Sequence, residues 1–323
     1  LMSSSTSSSE PIRLFGRALL GACIVGGLLL WGFGNGHHAS VIDYHGAVAA
    51  KEERLATLPS PKVVIIGGSN ATFGMDSEML EQALCMPVVN MTIHANLGVE
   101  FMVNEVKTHL GPGDLVLASF EYSAFREAVR DNEVHVLTVD RAPGAIHALP
   151  WYRRPRVIAD VAILRIQTAW NDLLGKRRGE GQEAVYRADG FNDRGDMVAH
   201  LGLPQRGPEK QQPVEYKEPV FGNDFLPLAQ ELVDSASVHQ AQVVFIWPCV
   251  ARSSRRAEVE AVVARRMAQA GHPLLGDPGA YVFPDTAFHD THYHLRAAGR
   301  ALRTEQLIRD LCGSGSVTCC QAD

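Results

Sequence analysis

Three short apolar runs constrain this chain more than any other feature. KVVIIG (62–67), MPVVNM (86–91) and DLVLASFEY (114–122) lack the strict apolar–polar alternation of a strand with one wet face. Continuous apolar strands are buried on both faces, as in a parallel sheet covered by helices. The segments between them have helical spacing: SEMLEQAL (77–84), then LGVEFMVNEVKTHL (97–110), which stops at Gly111-Pro112-Gly113. The pattern returns after residue 220. FLPLAQELVDSASVHQ reads as a helix, AQVVFIWP as a buried strand, RRAEVEAVVARRMAQAG as a helix, GAYVFP as a short strand and RAAGRALRTEQLIRDL as a closing helix. Strands alternating with helices imply right-handed crossovers. The expected fold is α/β: a three-layer α/β/α sandwich around a central parallel sheet.

The ends and the middle differ. LMSSSTSSSEPI (1–12) is polar and serine-rich, the composition of a disordered tail. Residues 13–36 hold Arg13 and Arg17 and then the uncharged ALLGACIVGGLLLWGFGNG. This is long enough for one transmembrane helix of about 20 residues. Arginines before the span, and no Lys or Arg after it until Lys51, predict a cytoplasmic N-terminus and an extracytoplasmic main domain. GNGHHAS is a poor cleavage site, so an uncleaved anchor is expected, with a processed signal as the alternative. Residues 37–61 read as a linker helix and 62–312 as the domain. Within the domain, residues 125–220 form an insertion that is first helical and then rich in Gly, Pro and charge. A loop of that length suits a lid or binding loop. Residues 313–323 are a tail. Six cysteines follow neither metal nor small-scaffold spacing, although in an exported chain Cys312 could pair with Cys319 or Cys320. The net charge of −6, without a basic stripe, excludes an ordinary nucleic-acid binder.

Ser69, in KVVIIGGSNATFG, is the first candidate for chemistry. The spacing of Gly67, Gly68 and Gly74 fits neither a phosphate loop nor a dinucleotide fingerprint. A nucleophile at the carboxyl edge of a sheet and a plain turn with a helix cap both fit. A serine nucleophile needs a base held by a third group. FHDTHYHLRAAGR (288–300) supplies Asp290, His292 and His294 on one late loop. His289, Asp290, His292 and His294 are also a set from which a metal site could be drawn.

IGGSN near the start of the domain and DTHYHLRAAG near its end resemble the SGNH/GDSL superfamily of esterases and acyltransferases. In particular they resemble its membrane-anchored bacterial members beside polysaccharide acylation systems. The likeness covers residues 62–122 and 241–311. It implies a serine esterase or O-acyltransferase acting on acetyl-like esters of a glycan. It implies no cofactor and no metal, and a membrane acyl-transfer protein or another membrane protein as a partner. The resemblance assigns Ser69 as nucleophile, Asp290 and His294 as its relay, and the N–H groups of Ser69 and Gly98 as the oxyanion hole. Asn70, His94, Glu121, Asn192 and His292 become candidates for substrate binding. Two departures stand out. The family's usual spacing is Asp-x-x-His, whereas position 293 is Tyr; YHLRAAG resembles a subgroup's Tyr-His-Leu and favours His294, while DTHY favours His292. The third block usually brings an Asn to the oxyanion hole, where ASFEY has Glu121. That departure makes a catalytically silent accessory subunit the second expectation.

Overall fold

The computed structural model describes residues 9–35, 43–176, 185–204, 219–315 and 317–320. The chain begins with α1 (Ser9–Asn35), so residues 9–12 of the expected tail are helical, and residues 1–8 lie outside the described residues. The helix expected between span and domain is α2 (Ala47–Thr57). Then follow β1 (Val63–Gly67), α3 (Ser69–Gly74), α4 (Ser77–Leu84), β2 (Val88–Asn90), α5 (Gly98–Val106) and β3 (Leu115–Ser119). Next come α6 (Tyr122–Arg126), which leads into the insertion, and α7 (Glu133–Arg141) and α8 (Arg154–Leu173) within it. The chain closes with α9 (Phe225–Val238), β4 (Gln242–Ile246), β5 (Val250–Ala251), α10 (Ala257–Gln269), β6 (Leu274–Leu275), β7 (Val282–Phe283) and α11 (Ala297–Gly313).

Five strands form one parallel sheet in the order β2-β1-β3-β4-β6, with helices on both sides. β1 and β3 are fully buried, as their uninterrupted apolar runs require. The order reverses at β1, so a crevice opens beyond the carboxyl ends of β1 and β3. Open α/β sheets bind ligands at such a switch point.

Two expectations are corrected. GAYVFP yields β7, which pairs with β5 in a separate two-stranded sheet. The fifth strand of the main sheet is instead Leu274-Leu275, too short to leave a periodic signal. The glycine-rich part of the insertion is also not a free lid where it is described. Residues 185–204 fold back into the core, and Val185, Met197 and Asp196 are fully buried. Asp196 accepts hydrogen bonds from Ser77 N, Ser77 Oγ, Asn90 Nδ2 and Arg300 Nη2 at 2.6–3.0 Å. That carboxylate therefore clasps the insertion to α4, β2 and α11. Beside it, Lys51 Nζ donates to the carbonyls of Asn90, Thr92 and Gly195 at 2.5–2.9 Å. Burial pushes the Lys51 pKa down to about 7, opposed by the nearby charges of Asp196 and Glu105. Residues 177–184 and 205–218, the rest of the predicted loop, lie outside the described residues.

The tail is tied down where it is described. Disulfides join Cys312 to Cys319 and Cys320 to Cys85, and Cys320 N–H donates to Ala83 O at 2.9 Å. Cys23 and Cys249 are free.

Candidate active site

The two glycines before Ser69 are explained by what lies against them. Gly67 has φ +145°, and a Cβ there would collide with the carbonyl of Ser119 on β3. A Cβ at Gly68 would collide with the carboxylate of Glu121. Close packing of β1 against the end of β3 thus demands bare backbone at both positions. Ser69 follows as the first residue of α3, at the carboxyl edge of the sheet.

Glu121 is buried beneath this turn. Its Oε1 accepts the Asn70 N–H at 2.8 Å and lies 3.5 Å from Ser69 Oγ. In this arrangement the serine hydroxyl is paired with a carboxylate. Asn70 does not reach the cleft. Its side chain donates to Ser119 O, and its Oδ1 accepts from Ser119 Oγ and Arg303 Nη2 at 2.8–3.0 Å. Arg303 Nη1 also donates to Asn70 O at 2.6 Å. A fully buried guanidinium on α11 therefore braces the serine turn from below, which corrects the substrate-binding expectation for Asn70.

Asp290 and His294 are brought together. A bridge between Phe288 and Leu295 closes the loop, and His289 N–H donates to His294 O at 2.8 Å. This tight hairpin places residues four apart side by side, which accounts for the Asp-x-x-x-His spacing. His294 Nδ1 lies 2.8 Å from Asp290 Oδ1. Facing a carboxylate, Nδ1 carries the hydrogen, which leaves the Nε2 lone pair able to accept a proton. The ring stacks on Phe73 of α3 at 3.9 Å and 6°. Tyr186, from the insertion, donates to Asp290 Oδ2 at 2.5 Å. Burial raises the Asp290 pKa, but the hydrogen bonds and charge of His294 and the Tyr186 hydroxyl outweigh it and hold the carboxyl at about 2.

Ser69, His94 and His294 share a cleft of about 650 Å³ whose other walls include Tyr44, His45 and Tyr186. His94 Nδ1 accepts the Asn96 N–H at 3.0 Å, and its ring stacks near His45. Burial, and then the neighbouring His45 and His294, push its pKa down to about 4. It is neutral at pH 7 and suited to hydrogen bonding.

The other candidates lie elsewhere. Gly98 has φ +78°, and its N–H closes a turn onto Ala95 O, so it is not presented to the cleft. Asn192 caps its own turn, with Oδ1 accepting from Arg194 N and Asp196 N. His292 is buried beside β5, where its carbonyl accepts from Ala251 N. Among the described residues, no group of three or more His, Cys, Asp or Glu side chains is arranged to hold a metal ion.

Sequence reasoning missed Tyr186, Tyr44, His45 and Arg303. Tyr186 sits in a polar stretch with no periodicity, and Tyr44 and His45 read as part of a linker helix. A buried arginine on a helix looks like any surface arginine until its partners are known. No protein-family model matches the chain, and no curated protein matches it.

Proposed function

We propose that this chain is a membrane-anchored serine esterase or O-acyltransferase of SGNH type, acting outside the cytoplasm on acetyl-like esters of a glycan. The observation that carries this reading is the hydrogen-bonded Asp290–His294 pair opening on the same cleft as Ser69. Ser69 Oγ leaves Glu121, gives its proton to His294 Nε2 and attacks the acyl carbon, expelling the alcohol, which takes that proton. Water or a sugar hydroxyl then resolves the acyl-enzyme, with His294 as base again. Tyr186 and Asp290 hold the ring in one tautomer throughout. No cofactor enters this scheme.

Location draws on two supports. Helix Arg13–Gly32 is long and apolar enough to cross a membrane. The two disulfides suit an oxidising compartment, such as the bacterial periplasm. A membrane acyl-transfer protein is the proposed partner, supplying the acyl group.

Glu121 beside Ser69 and the occupied N–H of Gly98 favour a second reading, an accessory subunit that keeps the fold without turnover. The test is acetyl-ester cleavage by the full chain in detergent, with Ser69→Ala as control. Serine-dependent turnover supports the enzyme; its absence supports the accessory subunit.

A further inference from the structure

Helix α8 is apolar on two sides. Val157 and Val161 are buried in the domain's core. With 3.6 residues per turn, Ala159, Ala162, Ile166, Trp170 and Leu173 fall on the other side, with Ile163 and Leu174 on its flank. A surface helix of a soluble domain would carry charge there.

The carboxyl end of α1 covers part of this second side. Trp170 meets Trp31 edge to face, with ring centroids 6.2 Å apart. Gly32 approaches Ile166 so closely that a Cβ would lie 3.2 Å from Ile166 Cα. The remainder is open: Ile163 is 51% exposed and Leu173 and Leu174 are each 61% exposed.

The contact with α1 says what covers the rest. Trp31 and Gly32 end the apolar stretch of α1 proposed to cross the bilayer, so Ile166 and Trp170 stand at the level of its outer surface. Leu174 is four residues beyond Trp170, about 6 Å along the helix. Two tryptophans at this level match the aromatic belt of a membrane interface. Lys176 follows, suited to anionic headgroups. Arg156, Asp160, Arg165 and Asp172 bar α8 from spanning, and among the described residues only α1 is long and apolar enough to do so.

We propose that the open apolar side of α8 rests in the outer surface of the bilayer that α1 crosses, holding the domain to lipid at a second point. This rests on the membrane anchoring proposed above. Chain length adds a consequence. Eight residue steps from Asn35 to Asp43 span at most about 28 Å. Asp43 and His45 line the Ser69 cleft, so the cleft is held within that reach of the membrane.

The test uses the full chain with Cys23→Ala, reconstituted in phosphatidylethanolamine–phosphatidylglycerol vesicles. Leu174→Cys carries an environment-sensitive fluorophore, and Val238→Cys on α9 serves as comparison. Nitroxide-labelled lipid should quench the Leu174 probe at least about twofold more than the Val238 probe. Equal quenching at both sites overturns the proposal. So does a blue-shifted Leu174 probe that lipid nitroxide does not quench, which would indicate a second copy or a protein partner. Release of the chain by alkaline wash refutes the anchor and this proposal together. Retention with a water-exposed Leu174 probe refutes this proposal alone, and the Ser69→Ala assay is independent of both.

Discussion

Replacing Glu121 by glutamine should make Ser69 more reactive. The carboxylate lies 3.5 Å from Ser69 Oγ, beside the position where negative charge develops during attack. A charge about 4–5 Å from the oxyanion opposes it by about 3–4 kcal/mol at an effective dielectric of about 20. That is an upper bound, because the cleft is open to water. Each 1.4 kcal/mol is tenfold in rate, so kcat/KM for an acetyl ester should rise about 10- to 300-fold in Glu121→Gln. Glutamine keeps an oxygen for the Asn70 N–H at 2.8 Å, so the turn should hold. The assay is steady-state hydrolysis of a chromogenic acetyl ester by the full chain in detergent, with Tm measured alongside. An unchanged or lower kcat/KM at unchanged Tm would show that Glu121 does not oppose the attack.

Other outcomes follow from the same contacts. Asp196→Asn turns one acceptor oxygen into a donor facing other donors and leaves the buried Arg300 only the more distant carboxylate of Asp76, at 3.5 Å, as its charge partner. It should cost about 3–5 kcal/mol in denaturant unfolding followed by tryptophan fluorescence; a loss below about 1 kcal/mol would contradict the clasp. The Asp290 pKa is lowered on folding to about 2, so its contribution to stability is full above the unfolded value of about 4 and is lost as pH falls through 2. Tyr186→Phe removes one donor from that carboxylate and should move this acid limb to higher pH, as followed by acid unfolding. It should also lower kcat more than it raises KM.

Much of the sheet is legible in the sequence because β1 and β3 are uninterrupted apolar runs buried on both faces, and β4 is a similar run that is buried only toward its carboxyl end. β6 is not, since two leucines carry no period and depend on an existing neighbour. The Asp290–His294 pair could be anticipated because both residues share one short loop. Its supports could not: Tyr186 arrives from an aperiodic insertion about a hundred residues away, and Arg303 reveals its role only through Asn70 and Ser119. The motif GFNDRGD illustrates the same limit. Its polar residues suit ligand binding equally well, yet Asp196 is consumed by Ser77, Asn90 and Arg300. The glycines at 67 and 68 read as a sharp turn, and the structure adds the reason, the backbone of Ser119 and the carboxylate of Glu121.

The central claim is that Ser69 is a nucleophile served by His294. Its most direct test is labelling of the full chain with a fluorophosphonate, followed by mass spectrometry of the modified peptide. The account predicts a covalent adduct on Ser69 that is lost in Ser69→Ala and strongly slowed in His294→Ala. A wild-type chain that is folded, retains its Asp290–His294 pair and takes up no label at Ser69 would contradict it.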